Sequence, residues 1–165
     1  GEPWKIHTVD TFDYFKEPVK SRLLGKSLRK ASPRGGKIDY DIDGKLVGNW
    51  FLENTNGYKG LGNEKFWSSH LSIVYDILDS GHIIVSTGDF GGRGDQFGVE
   101  GNAPDPKDAG IGDVVKYGLV VYDYYSNNEK WDGASYAENI KAKNTNELRG
   151  TAMFELISEQ KLKAE

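Results

Sequence analysis

The chain has no cysteine and a single methionine among its 165 residues. Disulfides, thiol catalysis and zinc–thiolate sites are therefore excluded together. Its three histidines (His7, His70, His82) are scattered, which argues against a His-rich metal site. No apolar run approaches the ~18 residues that a membrane-spanning helix requires. Signal-peptide and lipidation motifs are not visible either. The opening Gly1-Glu2-Pro3-Trp4 reads as a processed or engineered start, and the pattern stops short after Lys161, as if the last strand were truncated.

What the chain has in quantity is glycine, 21 residues, and aromatics, at 12%. That pairing suits a turn-rich β protein with a bulky core. The charge is divided unevenly. Residues 1–37 carry nine Lys/Arg against four Asp/Glu, and the remainder twelve against twenty-one. An acidic body argues against nucleic acid as a partner, and the basic leader is expected to dock on that body.

The expected organisation is an N-terminal lead-in and basic amphipathic helix over residues 1–36, then an antiparallel barrel over 37–165. Pro18 suits a first helical position, and Val19, Leu23, Leu24 and Leu28 form a stripe, so a helix is expected over roughly 18–30 with that stripe on the barrel. A membrane-surface role for this helix has only four apolar residues to support it. In GKIDYDIDGKLVGNWFLE (36–53), two alternating stretches meet at Asp43-Gly44, a strong hairpin signal. Residues 65–78 alternate, with Leu71, Ile73, Tyr75 and Ile77 opposite His70, Ser72, Val74 and Asp76. Further strands are expected at 82–87, 97–101, 114–125, 148–157 and 161–165. The glycine-rich 88–98 and the polar 102–113 read as connections, and 126–147 as a polar stretch with a short helix near 134–142. No β-α-β alternation is present, so the seven or eight strands should form an all-β, antiparallel barrel that manages its own edges.

Gly48-Asn49-Trp50 resembles the Gly-x-Trp of the calycin superfamily, which includes lipocalins, fatty-acid-binding proteins and avidins. The resemblance covers residues 37–165 in pattern, without the lipocalin Thr-Asp-Tyr. It implies a calycin-like barrel closed at one end by Trp50 against an arginine near the last strand, for which Arg149 is the match. Residues 39–57 are also similar to uncharacterised bacterial exported proteins, which implies a periplasmic or secreted setting and an adjoining domain or cell-surface partner.

Chemical motifs are few. Asp39, Asp41 and Asp43-Gly44 match the first half of a calcium loop, but Trp50 stands where the bidentate Glu belongs, and an Asp-Gly turn explains the same residues. Arg93-Gly94-Asp95 is an integrin-type tripeptide that is also simply a turn. The neighbouring glycines lack a phosphate-loop pattern, and no cofactor is expected. His70, Ser72 and Asp76 could be drawn as a triad, but strand spacing of roughly 3.3 Å per residue sets His70 and Asp76 about 20 Å apart. The strand aromatics remain. Trp67, Tyr75, Tyr117 and Tyr122, with His70 as a polar contact, are the candidate lining of a cavity for a small hydrophobic or aromatic ligand. The alternative is an accessory interaction domain with a filled core and no small ligand. Both readings are non-catalytic, and an enzyme using acidic residues at the barrel mouth ranks below them.

Overall fold

The computed structural model describes residues 8–36, 38–55, 57, 68–90 and 92–165. One helix, α1 (Val19–Lys26), precedes eight strands: β1 (Gly48–Phe51), β2 (His70–Tyr75), β3 (Ile83–Phe90), β4 (Arg93–Val99), β5 (Val114–Ser126), β6 (Glu129–Lys130), β7 (Lys141–Ser158) and β8 (Lys161–Ala164). They form one antiparallel sheet in the order β1-β2-β3-β4-β5-β7-β8, with the short β6 paired to β5, curled into a nearly closed barrel.

Alternation sorts the side chains. Ile73 and Tyr75 on β2, Ile83 and Val85 on β3, Phe97 and Val99 on β4, Val115, Tyr117 and Leu119 on β5, and Phe154 on β7 meet in one buried cluster. Each strand gives alternate residues to this interior, as the pleat requires. Leu46, Val47 and Ala109 complete it from outside the strands.

The seam between β1 and the β7–β8 edge is filled by the loop after β4. Leu46 N–H donates to the Ala109 carbonyl at 3.1 Å and Val47 N–H to that of Pro106 at 3.2 Å. On the other side of the loop, Gly112 N–H reaches the Leu156 carbonyl at 2.8 Å. The loop thus satisfies backbone groups on both flanks of the opening.

These bonds overturn the expected hairpin over 36–53. Residues 38–42 form no strand, because the loop takes the backbone partners of Leu46 and Val47. The Asp43-Gly44 turn does form, with Gly44 at φ 72° and Lys45 N–H bonded to the Ile42 carbonyl. Asn49 N–H then bonds the side chain of Asp41 at 2.8 Å rather than a backbone carbonyl. Gly48 sits at φ 146°, and a Cβ there would lie 2.9 Å from Asp41 Oδ1, so this position needs glycine.

Three other expectations change. The 88–98 connection is largely strand, because β3 runs to Phe90 and β4 starts at Arg93. β7 begins at Lys141 rather than 148, and no helix forms near 134–142. The start of β7 was hidden because the half-buried residues there are Ala142, Asn144 and Thr145 instead of large apolar ones.

The helix ends at Lys26, short of 30, and none of its residues is buried. Leu23, Leu24 and Leu28 are half-buried and Val19 is exposed, so the apolar stripe does not anchor this segment. Arg29 does. It is only 5% exposed. Its Nε donates to the Pro33 carbonyl at 2.8 Å, Nη1 to the Ile77 carbonyl at 2.7 Å, and Nη2 to the Tyr40 hydroxyl at 3.1 Å. No helix among the described residues is long and apolar enough to cross a membrane.

Candidate functional site

The barrel interior is occupied by its own side chains. Tyr117 is 0% exposed, packs edge-on to Phe154, and donates its hydroxyl to the Pro104 carbonyl at 2.8 Å. The Tyr75 hydroxyl donates to Asp105. Burial raises the pKa of both phenols, with Asp105 adding to the effect. Asp105 itself is held below the usual carboxylate range: burial pushes it upward, but the Tyr75 hydroxyl and Lys107 outweigh that. Two expected ligand contacts, Tyr75 and Tyr117, are thus core residues that tether the seam-filling loop.

Tyr122 lies elsewhere. It contacts the His82 ring at 5.2 Å and Tyr124 at 5.5 Å. The Tyr124 hydroxyl donates to buried Asp76, whose other oxygen accepts the Leu78 and Asp79 amides at 2.8 Å each. This polar cluster joins the outer half of the β5–β7 ribbon to the β2–β3 turn, and Ala142 N–H and Lys141 Nζ add bonds to Asp79. Burial lowers the His82 pKa, against the opposing pull of Asp76 and Asp79. His82 Nε2 and Asn144 Oδ1 have no hydrogen-bond partner among the described residues, and they stand 2.9 and 2.1 Å from where a Cβ on Gly98 would lie.

His70 belongs to a third place, the outer face of the sheet. Asn49, Ser72, Ser86 and Gln96 are register partners across β1 to β4, so they form one row on that face. Ser72 Oγ lies 2.8 Å from Asn49 Oδ1 and 2.9 Å from His70 Nε2, and His70 Nε2 lies 3.2 Å from the same Asn49 oxygen. Asn49 Nδ2 donates to Asp41 at 2.9 Å, which turns its Oδ1 toward the other two. Phe51 stacks on the His70 ring at 5.2 Å. Beside this network runs an open groove of about 440 Å³ lined by His70, Ser86, Thr87, Gly88, Gly94, Asp95 and Gln96.

The Ser72–His70 approach has the length of a nucleophile–base pair, but the wiring differs. Ser72 Oγ donates to Asn49 Oδ1 at 2.8 Å, while the roles at His70 Nε2 follow the tautomer of the ring. Asp76, the third member of the drawn triad, is bonded to Tyr124 instead.

Trp67 lies outside the described residues. Trp131 is half-buried, stacks edge-on to Tyr124 at 6.1 Å and donates Nε1 to the Ser135 carbonyl at 2.8 Å. Trp50 Nε1 donates to the Leu46 carbonyl at 3.0 Å. Arg149, 49% exposed at its side chain, pairs with Glu147 at 2.8 Å. No hydrogen bond or ring contact joins Trp50 and Arg149 among the described residues.

No family model, curated protein or solved structure matches the chain. The site is therefore argued from its geometry alone. Asp39, Asp41 and Asp43 do not gather: Asp41 caps Asn49, and no group of three metal-ligating side chains converges among the described residues. The Arg93-Gly94-Asp95 tripeptide lies at the start of β4, its ends paired to each other at 3.3 Å. The row Asn49–Ser72–Ser86–Gln96 escaped sequence reading because it becomes visible only once the register of four strands is known.

Proposed function

We propose that this chain is a non-catalytic binding domain, a calycin-like barrel that recognises its ligand on the outer face of β2–β4 rather than inside. The observation that carries the reading is the filled interior, centred on Tyr117, set against the open polar groove beside His70. Among the described residues the groove carries no phosphate-loop pattern and no thiol, and Asp76, which would complete a triad with Ser72 and His70, is bonded to Tyr124 instead.

The test is a small-fragment screen read by amide ¹H–¹⁵N NMR. Fragments should perturb the amides of residues 86–88 and 94–96. Perturbations centred on Ile73, Val85, Phe97 and Tyr117 would place the site inside the barrel and overturn the proposal.

A second reading is favoured by one observation. Tyr14 is 77% exposed, and Phe15 and Val19 are exposed beside Lys16 and Lys20. That face suits an adjoining domain, as in an accessory interaction module. Deleting the groove's polar side chains would leave such docking unchanged, whereas Phe15→Ser would weaken it.

A further inference from the structure

We infer that the outer groove takes a neutral, hydroxyl-rich ligand, a sugar or sugar chain. This rests on the groove being the recognition surface. The lining argues by chemistry. Among the described residues that line it, none has a large aliphatic or aromatic side chain, so an apolar ligand would bury little against them. Asp95, the one carboxylate among the described lining residues, is already engaged. Arg93 lies 3.3 Å from one oxygen, and the Gln96 N–H bonds the other at 2.9 Å. That leaves neither a strong field for a cation nor a basic cradle for phosphate.

What the groove does offer is paired neutral donors and acceptors. Ser86 and Gln96 face each other in register across β3 and β4, and neither side chain hydrogen-bonds within the described protein. Directly opposed Cβ atoms lie ~4.5–5.5 Å apart. A hydroxyl and an amide at that spacing can engage neighbouring hydroxyls of one ring, each group serving as donor and acceptor. His70, two residues from Ser72 on the same face, borders the pair, held there by Ser72 and Asn49. Gly88 and Gly94 carry no side chain, so a ring's C–H face can approach the strands closely. The volume of about 440 Å³ falls within the ~300–1,000 Å³ usual for small-ligand sites.

The experiment is an amide NMR titration of the whole chain with maltotetraose, cellotetraose and chitotetraose, alongside inorganic phosphate and a short-chain fatty acid. At least one sugar should give saturable shifts at residues 86–88 and 94–96 and at the Gln96 side-chain amide. Phosphate and the fatty acid should not. Gln96→Ala and Ser86→Ala, both outside the packed core, should each weaken sugar binding by about tenfold, the effect of one lost ligand hydrogen bond. Shifts at these amides with phosphate or fatty acid, and none with sugars, would overturn the ligand class while keeping the groove. Silence with all five probes would also overturn the class. Sugar binding untouched by both substitutions would place the site elsewhere and overturn the groove reading itself.

Discussion

Arg29 should hold the N-terminal segment to the barrel, and its removal gives a direct measure of that link. Arg29→Ala deletes three donors at once, to the carbonyls of Pro33 and Ile77 and to the Tyr40 hydroxyl. Hydrogen bonds from a charged donor contribute about 1.5–3 kcal/mol each, but losses within one network are not additive. The carbonyls of Pro33 and Ile77 would lose this charged donor, and the guanidinium packed near the Tyr40 ring would be lost as well. A total of about 3 kcal/mol is therefore expected. With a urea slope of about 2 kcal/mol/M, the unfolding midpoint should fall by about 1.5 M. The midpoint temperature should drop by roughly 6–12 °C for a domain of this size. Arg29→Lys should recover part of this, because an ammonium can reach one or two of the three acceptors. Lys30→Ala is the control. Its ammonium is on the surface and reaches only the Ser27 carbonyl at 2.7 Å, so a change within about 0.5 kcal/mol is expected. If Arg29→Ala unfolds within that same margin, the segment is not anchored by this side chain and the reasoning fails.

Further substitutions probe the interior and the polar cluster. Tyr117→Phe should cost about 1–2 kcal/mol by leaving the Pro104 carbonyl unpaired, and Tyr117→Ala about 3–5 kcal/mol, both without changing the shifts of a groove-bound ligand. Gly98→Ala should cost about 1–3 kcal/mol, measured by urea unfolding, because the new methyl must displace Asn144 from its bond to the Val99 carbonyl. His82 gives a pH signature. Burial sets its folded pKa below the unfolded value of about 6.5, so the unfolded chain binds more protons in that window. Stability should therefore be fully present above about pH 6.5 and decline as the pH falls toward the folded value. His82→Gln should flatten that decline below about pH 6.5, above the range where Asp105 titrates. An unchanged slope in the variant would assign the pH dependence to other groups.

The alternating strands were legible because their inner residues are large and apolar. Ile73/Tyr75, Ile83/Val85 and Val115/Tyr117/Leu119 announce both strand and face. The β3–β4 hairpin was missed, because the glycine-rich composition of 88–98 reads as a loop although two glycines between Phe90 and Arg93 are also a hairpin signal. The seam-filling loop was not readable. Its contribution is made by backbone groups of Pro106, Ala109 and Gly112, which leave no pattern in side chains. Arg29 was hidden for a related reason. On a helical wheel it falls outside the apolar stripe, but the helix ends at Lys26, and Ser27 turns the chain inward. Its partners, Ile77 and Tyr40, are 48 and 11 residues away. For Tyr75, Tyr117 and Tyr122, the expected strand positions are strand in the structure, but alternation cannot tell a lining residue from a core residue, because both repeat with the same period.

The pleat also explains how one sheet can carry a fold and a recognition surface without conflict. On β2, β3 and β4 the inward residues Ile73, Val85 and Phe97 are register partners, as are the outward residues Ser72, Ser86 and Gln96 beside them. The inward row is buried and sets stability. Of the outward row, Ser72 is tied into the Asn49–His70 network, while Ser86 and Gln96 face the groove. Changes at Ser86 or Gln96 therefore alter what the groove can bond while leaving the inward row packed. Changes at Val85 or Phe97 do the reverse. If the groove is the recognition surface proposed above, ligand preference would vary by exchange of alternate residues on two neighbouring strands, and the same residues can be tested with little risk of unfolding the chain.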